Sequence, residues 1–140
     1  MFWDSSALAP YLIEEERSAE MVPLFVRDDA IIIWWGTQVE CASALERRRR
    51  EGLAADLFSA ARQRLEEVII LAEQVPALDS VRASAIEILG RHNLRALDAL
   101  QLAAAKLIAD IVVDWGTSFV CLDDQLRDAA RREGLVPVPE

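Results

Sequence analysis

The chain reads as an α/β protein: a three-layer α/β/α domain whose small, mainly parallel sheet is covered by helices on both faces. Three observations predict this. Short apolar runs suited to buried strands, such as Ile31-Ile32-Ile33-Trp34-Trp35 and Phe119-Val120-Cys121, are separated by longer helix-like stretches. Helices between strands favour parallel pairing with cover on both faces. A length of 140 residues with 53% hydrophobic and 28% charged side chains is that of one globular domain, residues 1–140, able to bury a core.

The elements follow in order. Met1 to Asp4 is a very short first strand. Ser5 or Ser6 caps a helix reaching about Glu16, with Pro10 tolerable only because it falls in the first turns. Ser18 to Arg27 is a second helix, and Ala30 to Trp35 a β-branched and aromatic strand bounded by Asp28-Asp29 and Gly36. Thr37 to Glu51 is a helix ended by Gly52, and Leu53 to about Gln74 a longer one broken by Pro76. Asp79 to Leu89 is a helix stopped at Gly90, and Ala96 to about Ile111 another. Ser118 to Leu122 is a strand, Asp123 to Glu133 a helix ended by Gly134, and Leu135 to Val138 a final edge strand.

Four acids, Asp4, Glu40, Asp98 and Asp123, stand at the ends of four separate apolar segments. Asp4 and Asp123 follow strands directly, and Glu40 starts the helix that follows one. In parallel sheets ligands sit beyond the carboxyl ends of strands, so at least three of the acids gather at one edge. Clustered carboxylates are costly: two unit charges 4 Å apart repel by roughly 4 kcal/mol at an effective dielectric of 20. Protons or a hard cation must neutralise them, and Mg²⁺ is the usual occupant. The pattern points to metal-assisted phosphoryl chemistry.

Each acid also has an ordinary reading. Asp4 and Asp123 suit helix N-caps. Thr37 and Glu40 fit a capping box. Asp98 has Leu94 and Leu102 four residues away, which places it on an inward apolar face where a carboxylate needs compensation, with Arg95 as a simple ion-pair partner. His92, the single histidine, caps carbonyls or packs near a helix end. No G-x-S-x-G, G-x-x-x-x-G-K-[ST] or G-x-G-x-x-G segment is present, which removes those hydrolase and nucleotide-binding routes. Cys41 and Cys121 are far apart and read as reduced thiols of a cytoplasmic protein. The longest apolar region, Ala99 to Val113, is interrupted by Gln101, Lys106 and Asp110, so no membrane span is expected, nor is a secretory signal.

The net charge of −9 argues at first sight against a nucleic-acid ligand. The charge is uneven, however. From Ala44 to Arg64 six arginines face three acids, a local balance of +3, whereas from Met1 to Ala30 two arginines face seven acids, a balance of −5. The run Glu46-Arg47-Arg48-Arg49-Arg50-Glu51 is either a solvated helical face or a phosphate-contacting ridge on the helix that Glu40 begins.

These residues resemble those of the PIN-domain nucleases, and among them the VapC-type toxins of prokaryotic toxin–antitoxin pairs. Asp4-Ser5-Ser6 is similar to the opening Asp-x-Ser segment. Thr37-x-x-Glu40 resembles the second motif, and His92 to Ala103, around Asp98, the third and most specific one. Phe119 to Asp123 with Gly134-Leu135 resembles the fourth; Cys121 stands where the family commonly has Thr or Ser, and Asp124 competes with Asp123. The resemblance implies a divalent-metal-dependent endoribonuclease acting as a toxin, in which Asp4, Asp98 and Asp123 hold Mg²⁺ or Mn²⁺ and Glu40 orients or deprotonates water. Ser6 and Thr37 would donate to the carboxylates, and the arginines of the 47–50 run would hold the RNA backbone. It also implies a homodimer and a small antitoxin, expected in a groove of the first two helices with Glu14, Glu15, Glu16 and Glu20 beside apolar Leu12, Met21 and Phe25. A non-catalytic binding module, or a metal-dependent phosphatase or DNA nuclease, are the alternatives.

Overall fold

In the computed structural model, which describes residues 1–112 and 116–139, five strands form one sheet in the order β3-β2-β1-β4-β5, every pair parallel. The strands are β1 (Phe2–Trp3), β2 (Ile32–Trp34), β3 (Glu73–Val75), β4 (Ser118–Val120) and β5 (Val136–Val138). The helices are α1 (Ser5–Leu12), α2 (Ser18–Arg27), α3 (Thr37–Arg50), α4 (Ala55–Leu71), α5 (Asp79–Arg91), α6 (Ala96–Ile111) and α7 (Asp124–Arg132).

Strand pleating divides the core in two. Trp3, Ile33 and Val120 point to one face, where they pack with residues of α1, α2, α3 and α4. Phe2, Ile32, Trp34 and Phe119 point to the other, against α5, α6 and α7. The strands are buried on both faces, which is why they read as continuous apolar runs. This is the three-layer α/β/α arrangement, wholly parallel.

Several boundaries differ from the sequence expectations by a residue or two, and three differences have a clear physical cause. The first helix ends at Leu12, not Glu16. The Ser18 hydroxyl donates to the Pro10 carbonyl (2.6 Å), and three consecutive glutamates would oppose the negative end of a longer helix. The stretch given to the end of α4 is instead strand β3, unforeseen because two of its three residues are exposed. Pairing to β2 makes it a strand, through bonds such as Glu73 N–H to the Ile31 carbonyl (2.9 Å), not local propensity. α5 continues through Gly90 to Arg91. Its last turn is held by the Glu133 carboxylate, which accepts from Arg91 (2.9 and 3.1 Å), His92 (2.7 Å) and Lys106. That contact binds α5 and α6 to the end of α7 and gives His92 a partner other than a helix carbonyl. β5 is an edge strand, as expected, which lets it carry Pro137.

Gly36, the N-cap of α3, lies against the Trp34 indole: a Cβ there would stand 2.0 Å from a ring carbon. Gly36→Ala is therefore expected to lower stability by about 1–3 kcal/mol through overpacking. A urea midpoint shifted down in the variant checks this, and an unchanged midpoint contradicts it.

Candidate functional site

The chain leaves β1 for β2 on one side and later returns to β4 on the other, so the strand order reverses between β1 and β4. In doubly wound sheets the crevice at such a reversal is where ligands bind. Asp4 directly follows β1 and Asp123 lies three residues beyond β4. Glu40 is in the first turn of α3 and Asp98 in that of α6. One open cleft is lined by all four, together with Ser5, Ser6, Arg47 and Arg95. Asp124, exposed in the first turn of α7, is not among the cleft's lining residues.

Asp4 is held most firmly. Its backbone N–H donates to the Val120 carbonyl (2.9 Å), tying it to β4. Its side chain caps α1: Oδ2 accepts from the Ser6 N–H (2.9 Å) and the Ser6 hydroxyl (2.5 Å), with the Cys121 thiol at 3.6 Å. Ser6 Oγ in turn accepts from the Leu122 N–H (3.0 Å), so one serine joins the loops after β1 and β4. Asp123 caps α7, its Oδ1 accepting from the Leu126 N–H (2.8 Å). The N-cap readings of both hold, and each cap uses one carboxylate oxygen. The Arg95 backbone N–H near the Asp98 carboxylate favours its charged form.

Glu40 departs from its capping-box reading. α3 begins from Gly36 with no side-chain cap, and the Glu40 carboxylate turns toward α1 and α6. Oε2 accepts from the Ser5 hydroxyl (3.0 Å) and Oε1 from the Gln101 amide (2.9 Å). Thr37 does not meet an acid directly; its hydroxyl accepts from Gln101 (3.0 Å). Asp98 also departs: it is half-buried, Leu94 precedes α6, and only Leu102 is in the core. The helix end opens on the cleft, so its first turn needs no apolar cover. Gln101, fully buried, was missed as a site residue; the signal was a polar residue one turn after Asp98 in an otherwise apolar stretch.

The electrostatics follow from burial and proximity. Asp4 is 2% exposed, and desolvation followed by the charge of Asp98 outweighs its hydrogen bonds and raises its pKa. Desolvation, with Asp4 and Asp98 nearby, lifts Glu40 to about 7. Desolvation and the Asp123 charge raise Asp98. Burial, with the Asp4 charge, pushes both the Cys41 and Cys121 thiols up. Among the described residues none of the four acids is in an ion pair, and the Arg95–Asp98 pair is not formed. Nor do three acidic, thiol or imidazole groups among the described residues already converge at metal-ligand distance. The donors are nonetheless all hard oxygens, outside any ion pair among the described residues and on one cleft, which fits a divalent ion of the Mg²⁺ or Mn²⁺ kind that would draw them together.

The arginine run divides. Arg47 faces the cleft. Arg48 pairs with Glu15 (3.7 Å) and Glu51 (3.9 Å), and Arg49 pairs with Glu46 (2.8 Å) and lies over the Phe58 ring. The groove expected from the first two helices is also changed, because Leu12 and Met21 belong to the core, while Phe25, mostly buried, still lines one edge. Tyr11, Val22 and Arg64 line a groove there with Glu14, Glu15 and Glu16, and a neighbouring one runs along Ile70 and Leu71 of α4.

A family model described as a PIN domain matches residues 1–131. Solved structures share the fold, among them the two that follow. VapC20 of Mycobacterium tuberculosis, described as a toxin that cleaves the sarcin–ricin loop, is 17% identical with a TM-score of 0.70, over 96% of this chain and 95% of that one. PAE2754 of Pyrobaculum aerophilum is 23% identical with a TM-score of 0.64, over 98% of this chain and 87% of that one. No curated protein matches in sequence.

The raised acids give stability a definite pH dependence. Glu40 ordinarily titrates near 4.5 and here near 7, so between those values the folded chain keeps a proton that the unfolded chain loses. The resulting penalty is absent below about 4.5, grows up to about 7 and is complete above it. Glu133, held down to about 2 first by Arg91, has the opposite sign: its contribution is complete above about 4.5 and is lost as pH falls toward 2. In EDTA the melting temperature is therefore expected to rise as pH falls from 8 to about 5, then to drop below about 4. A melting temperature flat between pH 8 and 5 contradicts this.

Proposed function

The chain belongs to the PIN-domain family, and we propose that it is a divalent-metal-dependent endoribonuclease, the toxin of a toxin–antitoxin pair. The observation that carries this reading is the set of four carboxylates on one cleft at the reversal of the sheet, none of them in an ion pair among the described residues. The fold shared with VapC20 supports the choice of RNA over the phosphatase and DNA alternatives.

Asp4, Asp98 and Asp123 are the residues that would hold Mg²⁺ or Mn²⁺. When bound, such an ion lowers the pKa of a coordinated water and neutralises charge on a phosphate. Asp4 and Asp123 each commit one oxygen to a helix cap, which leaves the other for the cleft. Glu40, shifted to about 7, is poised to take a proton from attacking water near neutral pH. Arg47 and Arg95 flank the acids and would hold phosphates on either side of the cleaved bond.

The partners belong to the same reading. A small antitoxin would lay an apolar helix over the grooves at Tyr11, where Val22, Ile70 and Leu71 are exposed, and reach a basic side chain toward the acids. A second copy would cover α5, which leaves Ile86 and Leu89 exposed, to form a homodimer. Among the described residues no helix is long and apolar enough to cross a membrane; action on RNA in the cytoplasm belongs to the same proposal.

Asp98→Asn keeps the side-chain volume and removes a charge. It is expected to lower Mn²⁺-dependent RNA cleavage by about a hundredfold or more, equivalent to about 3 kcal/mol of transition-state stabilisation. Comparison with DNA and a phosphomonoester on the same pure protein tests the substrate class. A variant cleaving RNA at the wild-type rate overturns the site, and DNA cleaved in preference to RNA overturns the substrate.

Arg47→Glu is expected to weaken RNA binding evenly across sequences and to reduce the salt slope by about 1, the signature of a lost phosphate contact. Arg49→Glu, whose parent already pairs with Glu46, should change both less. An equal effect of the two on filter binding would return the run to a diffuse field.

A further inference from the structure

We infer that Gln101 is the positioning residue for Glu40, setting where that carboxylate stands relative to Asp98; the inference rests on the nuclease reading above. Gln101 is 0% exposed, the largest polar side chain wholly inside the described structure. Its amide nitrogen donates to Glu40 Oε1 (2.9 Å) and to the Thr37 hydroxyl (3.0 Å), so both of its hydrogens are spent on α3. The Ser5 hydroxyl holds Oε2 from the opposite side, from α1. Both oxygens of Glu40 are thereby fixed by donors on two different helices, and only their remaining lone pairs face the cleft.

The spacing makes this more than a satisfied buried amide. Gln101 follows Asp98 by three residues, and residues three apart lie on one helix face, one turn removed. A single turn of α6 thus supplies one acid of the cleft and the holder of another. Any movement of α6 against α3 would have to break the Gln101 bonds, so the separation of Asp98 from Glu40 is set by a rigid element and not by loops. An amide suits the position because it donates to a carboxylate without adding charge. A glutamate there would bring a fifth negative group beside Glu40, and leucine would leave Oε1 unheld and the Thr37 hydroxyl without its partner.

The test is a double-mutant cycle on RNA cleavage with Gln101→Leu and Glu40→Gln. Gln101→Leu alone should lower kcat between about tenfold and a hundredfold, the usual effect of removing a group that orients a reacting side chain, with KM little changed. Combined with Glu40→Gln it should cost nothing further, because its effect passes through Glu40. Thr37→Val in the Gln101→Leu background removes the stranded hydroxyl and keeps the test open if the single variant folds poorly. Effects that multiply in the double variant, or a Gln101→Leu protein with wild-type kcat, overturn the inference. A crystal structure of Gln101→Leu reads the positioning without any activity: Glu40 should leave its place or occupy several rotamers, and a Glu40 unmoved overturns it. A wild-type protein that cleaves no RNA sinks the nuclease reading, while the position of Glu40 in that crystal still decides the role of Gln101.

Discussion

Asp4 is almost sealed from water and yet carries no cationic partner among the described residues. Burying a carboxylate this way disfavours its charged form, and the structure around it is arranged to limit that cost. The Ser6 backbone and hydroxyl bond its Oδ2, and the Val120 carbonyl fixes its backbone to the neighbouring strand. The cleft exists because β1 delivers this residue, and β4 the loop bearing Asp123, to the same point. The other acids are then brought to it by the two helices that start nearby, α3 and α6.

Four helices, α1, α3, α6 and α7, begin at this cleft, and each has one of the acids at its N-cap or in its first turn. The positive ends of helices favour negative charge by about 0.3–1 kcal/mol each at exposed positions. They soften the burial and mutual repulsion of the carboxylates without abolishing them: desolvation first, and neighbouring acids after it, still raise the pKa values of Asp4, Glu40 and Asp98. Capping and chemistry are compatible roles here. Asp4 and Asp123 spend one oxygen each on a helix start, which fixes their orientation and leaves the other oxygen to the cleft. A structural reading and a functional one therefore describe two halves of the same side chain.

Much of this was legible in the sequence. The runs Ile31–Trp35 and Phe119–Cys121 announce buried strands, and the acids at the ends of such runs announce the cleft, because a parallel sheet fixes which ends meet. Strand β3 was not legible: Glu73-Gln74-Val75 has no strand signature, and only its pairing with β2 makes it one. The Glu133 contact with Arg91, His92 and Lys106 joins residues far apart in sequence that no motif connects. Glu40 misled in detail, since its spacing from Thr37 suits a local cap while Ser5 and Gln101, from distant helices, capture it instead. The arginine run could not be divided from sequence either, because Arg47, Arg48 and Arg49 differ only in which neighbours their helix face meets.

On the nuclease reading the four acids act together as one site for a divalent ion. Calorimetric titration of Mn²⁺ into the metal-free protein near pH 6.5, repeated in buffers of different ionisation enthalpy, tests it most directly. Binding should appear in the wild type with release of protons, because Glu40, raised to about 7, is partly protonated before the ion arrives. Both the heat and the proton release should be lost in the Asp4→Asn, Asp98→Asn double variant. Equal Mn²⁺ binding by the two proteins, or binding with no protons released, would contradict the account.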